Sequence, residues 1–144
     1  MLNGQTGALR FKVAHNPPTS YGSHGRSTVG VGDVSGDGVP DIVYSGRTNL
    51  LHAIDGNGTL LWTAHNASGS NVSFNVNNGA MTLANFDSDP QAEIVIGASL
   101  IDHDGLVVWN QGNDGPNYGT NSGYRGGISA VADLDGDGRP EIVS

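Results

Sequence analysis

The acidic side chains of this chain fall into three nine-residue phrases, and their spacing suits the binding of a hard cation. The phrases are Asp33-Val-Ser-Gly-Asp-Gly-Val-Pro-Asp41, Asn85-Phe-Asp-Ser-Asp-Pro-Gln-Ala-Glu93 and Asp133-Leu-Asp-Gly-Asp-Gly-Arg-Pro-Glu141. Each puts an oxygen-bearing side chain at positions 1, 3, 5 and 9. The donors are Asp33, Ser35, Asp37 and Asp41 in the first, Asn85, Asp87, Asp89 and Glu93 in the second, and Asp133, Asp135, Asp137 and Glu141 in the third. The carbonyls of Val39, Gln91 and Arg139, at position 7, are placed to complete each shell. Alternating oxygen donors on a tight turn are what calcium requires, so up to three calcium ions per chain are expected. The loops hold ten of the 14 acidic residues, and three ions would take the formal net charge of -8 to -2. Crowded carboxylates repel one another, and a divalent ion relieves that repulsion. Asp and Gly also favour turns for purely local reasons. The second loop, with Pro90 where the others carry Gly, is the weakest of the three. An EF-hand does not fit, because position 12 holds Tyr44, Ile96 or Ser144 instead of Glu.

Other chemistry finds little support. No nucleophile elbow, zinc-protease helix or phosphate loop is present. Of the five histidines, His24, His52 and His103 share no repeat position, and His15 and His65, which recur in Ala-His-Asn, give one per repeat, too few for a transition-metal site. No catalytic residue and no enzyme activity is expected. Six Lys and Arg residues, scattered singly, give no footprint for nucleic acid. No apolar run approaches the ~20 residues of a membrane helix, and no signal-peptide pattern opens the sequence. With no cysteine, disulfides play no part. The longer connections, rich in Asn, Ser and Gly, carry Tyr21, His24, Phe74, Tyr118 and Tyr124. Aromatic faces among amides and hydroxyls suit sugar rings, and these five are the candidate ligand contacts. Ordinary solvated loops have the same composition.

The elements that position these groups follow from repetition. The acidic phrase recurs about every 50 residues, each time running into Ile-Val. A second phrase recurs with it: Leu51 to Trp62, Leu100 to Trp109, and a degenerate copy from Leu2 to Phe11. Each is a short apolar run, an Asp/Asn-Gly turn and a second run ending in an aromatic, which is a β-hairpin pattern. Asp55 and Asp102 sit in those turns, where a local role accounts for them. Strands are expected near 27–34, 40–46, 50–54 and 59–64, near 79–85, 92–98, 99–102 and 106–110, and near 127–133 and 140–144. Four antiparallel strands per repeat make the blade of a β-propeller. The expected fold is all-β, a single propeller segment over 1–144 with repeats at about 27–65, 79–110 and 127–144. Residues 1–13 would complete the last repeat, splitting one blade between the termini. Three blades are too few to close a ring, so a head-to-tail homodimer of six blades is expected. An excised piece of a longer propeller is the alternative. Trp62, Trp109 and Phe11 hold equivalent places and are expected to pack between blades.

The Asp-x-Asp-x-Asp-Gly-x-x-Asp/Glu-Ile-Val pattern, fullest at residues 130–143, resembles the FG-GAP (VCBS-type) repeats of integrin α-subunit propellers and many bacterial surface proteins. The resemblance implies calcium in the loop joining the first two strands of each blade, and an extracellular or cell-surface setting. The name-giving Phe-Gly is missing here, and Glu93 and Glu141 depart from an all-Asp loop. The function expected on these grounds is a non-catalytic, calcium-stabilised binding module for carbohydrate or a cell-surface protein, of lectin or adhesion type. The alternatives are the propeller fragment of a polysaccharide lyase and a purely structural or engineered repeat unit.

Overall fold

Short apolar runs bounded by Gly-rich turns become short strands, and every regular element among the described residues is one. The computed structural model describes residues 1–12, 28–46, 49–74, 79–110, 120–121, 124–125 and 128–143, with backbone only at 120–121 and 124–125. In chain order the strands are β1 (Gly30–Gly32), β2 (Asp41–Ser45), β3 (Leu51–Ile54), β4 (Leu60–Thr63), β5 (Met81–Ala84), β6 (Glu93–Ile96), β7 (Ser99–Ile101), β8 (Val107–Asn110), β9 (Thr120–Asn121), β10 (Tyr124–Arg125), β11 (Ala130–Ala132) and β12 (Glu141–Val143). Strands β1 to β4 form one four-stranded sheet in sequential order, and β5 to β8 form a second. Strands β9 and β10 pair together, as do β11 and β12. All of these pairings are antiparallel, and no helix occurs among the described residues.

Equivalent residues of the three acidic phrases take equivalent places in strand pairs. Gly32 pairs with Asp41, Ala84 with Glu93 and Ala132 with Glu141, so each acidic loop joins two strands in one common register. The third and fourth strands shift register at equivalent places, between Ala53 and Ile54 and between Leu100 and Ile101. The middle strands, β2, β3, β6 and β7, are mostly apolar and are buried on both faces, together with the polar Asp41, Ser45, His52, Glu93 and Ser99. Short, mainly apolar runs of this length fit strands covered on both sides. Val34, Val43, Leu51, Ala53, Phe74, Ile94, Ile96 and Ile101 form one core shared by the two sheets.

Contacts between sheets run along both their inner and outer strands. A side chain at Gly30 or Gly32 would come within 2.5 or 2.7 Å of Leu83, so β1 must be bare for β5 to approach. Thr28 N donates to the Gly79 carbonyl at 3.2 Å, and Met81 N donates to Thr28 Oγ1 at 3.0 Å. On the other side of β5, Thr82 Oγ1 donates to the Ser129 carbonyl at 2.8 Å. Ala80 and Ile128 form a parallel bridge there. The first strands β1, β5 and β11 thus stand side by side. At the outer strands, Trp62 Nε1 donates to the His103 carbonyl at 2.7 Å, and the indole lies on Gly105, whose φ is +91°. Any side chain there would collide with the indole as well as strain the backbone. Trp62 therefore packs between sheets, as expected.

One expectation changes. Phe74, read as a surface contact in a connecting loop, is 3% exposed and belongs to the core. Its N–H donates to the Asn49 carbonyl at 2.7 Å, which ties the segment under the first sheet. The N-terminal hairpin, closed by the Leu2–Leu9 bridge, pairs with no strand of the third unit among the described residues. Met1 and Arg10 instead face Val31, Val39 and Ile42 of the first sheet across a cleft of about 490 Å³.

Candidate metal centres

The ninth residue closes every acidic loop in the same way. Asp41 Oδ2 accepts from Val34 N at 3.1 Å and Ser35 N at 2.9 Å. Glu93 Oε2 accepts from Phe86 N at 2.6 Å, and Glu141 Oε2 from Leu134 N at 2.7 Å. Each carboxylate reaches back seven residues to the N–H of position 2, leaving its second oxygen to point elsewhere. In the first two loops that oxygen is orphaned. Asp41 is 1% and Glu93 2% exposed, and Asp41 Oδ1 and Glu93 Oε1 are buried with no hydrogen-bond partner. An unpaired buried acceptor costs roughly 1–3 kcal/mol, more when charged, and a cation would offset that cost.

The first and third loops share a frame that the second cannot adopt. Asp33 accepts from Gly36 N and Gly38 N at 2.7 and 2.8 Å, and Asp133 accepts from Gly136 N and Gly138 N at 2.7 and 2.9 Å. All four glycines have φ between +78° and +86°, a left-handed conformation that favours Gly. The second loop has Ser88 and Pro90 at those positions, and Pro fixes a negative φ and donates no N–H. There Asn85 Oδ1 accepts from Asp87 N at 3.1 Å, and its Nδ2 donates to the Asp89 carbonyl.

Donor atoms converge in two places among the described residues. Asp133, Asp135 and Glu141 of the third loop each bring one carboxylate oxygen within 4.8 Å of the others. Asp137 turns aside and accepts from Arg139 N at 2.8 Å, as Asp37 accepts from Val39 N at 2.7 Å. The second group joins Asp89 and Glu93 of the second loop to Asp102 and His103 of the β7–β8 turn, again within 4.8 Å. Neither hairpin residue stood among the sequence-derived ligands. Burial raises the Glu93 pKa above the ordinary carboxylate value despite the Phe86 N–H, and the negative charges of Asp87, Asp89 and Asp102 add to the rise. Asp87 is not part of that group, and its Oδ1 accepts from Asp89 N at 2.8 Å.

The loops stand beside one another. Gln91 of the second loop lies against Gly36 of the first, where an added side chain would meet its amide at 2.5 Å. A cleft of about 520 Å³ between Asn85–Ser88 and Gly138–Pro140 separates the second loop from the third. Of the candidate sugar contacts, Phe74 is in the core. Tyr21, His24 and Tyr118 lie outside the described residues, and for Tyr124, on β10, only the backbone is described.

No protein-family model matches the chain, and the search of curated proteins gives no match. Among solved structures, the V. cholerae biofilm matrix protein Bap1 is similar over 84% of this chain and 24% of its own, at 20% identity and a TM-score of 0.36. The chain thus spans about a quarter of that protein.

Proposed function

We propose that this chain is a non-catalytic, calcium-stabilised β-repeat module that binds carbohydrate or a cell-surface protein outside the cell. The observation that carries the metal reading is the buried, unpartnered carboxylate oxygen of Asp41. It sits at position 9 of a loop whose counterpart at Asp133 converges three carboxylates. Calcium in the first and third loops would be held by Asp33, Ser35, Asp37 and Asp41, and by Asp133, Asp135, Asp137 and Glu141. The carbonyls of Val39 and Arg139 would complete the two shells. The ion's binding energy then serves as folding energy for turns with little core of their own. Side-by-side first strands and a common register support reading the sheets as propeller blades. The exposed turn around Asn66, Ser68 and Ser70, where Asn66 Oδ1 accepts from Ser68 Oγ at 2.7 Å and Ser70 N at 3.0 Å, supports a polar ligand such as a sugar. Strand β12 pairs only with β11 among the described residues, which supports its completion by a second copy.

A thermal melt with light scattering, in calcium and in EGTA, followed by a glycan array in calcium, tests this reading. A calcium-dependent rise in Tm, a dimer near twice 14.8 kDa and saturable glycan binding are expected. A melt indifferent to EGTA would remove the metal role, and an array without signal the sugar.

A further inference from the structure

The geometry points to a second kind of cation site, in which Asp89, Glu93, Asp102 and His103 hold a borderline divalent metal of the zinc class. Three carboxylate oxygens and one imidazole nitrogen lie within 4.8 Å of one another, on two separate turns of the second sheet. Four tetrahedral donors about 2.0–2.2 Å from an ion stand roughly 3.3–3.6 Å apart, within reach of small side-chain shifts from this spacing. His103 Nδ1 is 3.4 Å from Asp89 Oδ2 and 2.9 Å from Asp102 Oδ1. Independently of that clustering, Glu93 contributes a carboxylate that is 2% exposed and whose Oε1 has no partner.

The first sheet serves as an internal control. Its β3–β4 turn has the same backbone bonds: Asp55 N donates to Thr59 O and Gly58 N to Asp55 O, as Asp102 N does to Leu106 O and Gly105 N to Asp102 O. His103 therefore stands where the first repeat has Gly56, which lies next to Val39 and Pro40 of the first acidic loop. The hairpin turn approaches the acidic loop in both repeats, but only the second carries an imidazole there. The aspartates differ as well. Asp55 Oδ1 accepts from Asn57 N and Thr59 N, each at 2.8 Å. In the second turn Asp104 Oδ1 takes the corresponding bond from Leu106 N at 2.8 Å. Asp102 is thereby released from the bonds that hold Asp55, and its Oδ1 faces His103.

The donor set decides the metal. Calcium takes oxygen ligands, whereas imidazole with carboxylates suits zinc, cobalt, nickel or manganese. Nδ1 ligates as the neutral base, so binding releases any proton it holds while Nε2 keeps its own. The site does not depend on the calcium reading, since loops one and three share none of its donors.

The test uses chelator-treated, untagged protein titrated with zinc by calorimetry and with cobalt by visible absorption. One zinc per chain, cobalt d–d bands of a low-symmetry site, and at least a tenfold weaker Kd in His103→Ala are expected, with the calcium-dependent rise in Tm unchanged. His103 is half-buried and its carbonyl, not its ring, holds Trp62, so the variant should fold. Asp102→Asn provides a second measurement of the same loss. Unaltered zinc affinity in both variants, or calcium bound at these residues as tightly as zinc, would overturn the assignment, as would the absence of zinc binding. A calcium response without a zinc response would leave the module reading standing and remove only this site.

Discussion

The first and second acidic loops carry the same closing bond but surround it with different groups. In the first, two left-handed glycines turn backbone N–H groups onto Asp33, and the adjacent hairpin has Gly56 next to Val39 and Pro40. In the second, Pro90 removes one such N–H, Asn85 is committed to the loop's own backbone, and the hairpin supplies Asp102 and His103. A loop that loses donors from its own frame gains them from the neighbouring turn. The two sheets thus share strand register at their acidic loops while the groups around those loops differ.

The comparison breaks most sharply at the ninth residue. Asp41→Ala strands the N–H groups of Val34 and Ser35, and a loss of about 3 kcal/mol is expected in calcium. Glu93→Gln, in metal-free protein, should be nearly neutral or stabilising, because it removes a buried charge that its surroundings disfavour. Chemical denaturation of both variants checks the pair, and equal losses would end the distinction. Next in size is Gly30→Ala, which would drive a methyl into Leu83 and cost about 1–3 kcal/mol. Adding Leu83→Ala should recover part of that loss in a double-mutant cycle.

A smaller contrast is in alkaline stability. Tyr44, on β2, is buried and its pKa is pushed up to about 12, whereas β6 has Ile96 at that place. The unfolded chain loses this proton near pH 10 while the folded chain keeps it. Stability is therefore full below pH 10 and falls between about pH 10 and 12, by up to about 1.4 kcal/mol per pH unit. Tyr44→Phe should flatten that part of a pH series of denaturation midpoints. Least of all should follow from Gly56→His, since an added side chain meets only Val39 and Pro40 at 3.7 and 3.8 Å. A change under about 0.5 kcal/mol and no zinc binding at the new histidine are expected, because Asp55 is already committed to its own turn. Zinc binding in that variant would show that the imidazole alone makes the site.

Local chemistry made much of this legible in the sequence. Apolar runs between Gly turns predicted the eight strands of the two complete sheets, each to within about three residues. The sequence reads the acidic loops as cation-binding turns with donors at positions 1, 3, 5 and 9, and in the structure positions 1 and 9 accept backbone N–H groups of the loop. What was missed depends on contacts between segments distant in sequence. Asp102 was read as a turn residue, since nothing local shows that Asp104 takes over its bond. A signal did exist: His103 occupies a turn position that the preceding repeat fills with Gly56. Phe74 was misread because Asn- and Ser-rich flanks give a buried aromatic the composition of a solvated loop.

The indole of Trp62 rests on Gly105 with its N–H on the carbonyl of His103. One of the chain's two tryptophans is thus wired to the turn that bears the histidine, although it belongs to the other sheet. Its emission should respond to any ion that moves that turn, and cobalt or copper there would quench it by proximity. The protein thereby carries its own fluorescent gauge for the second turn.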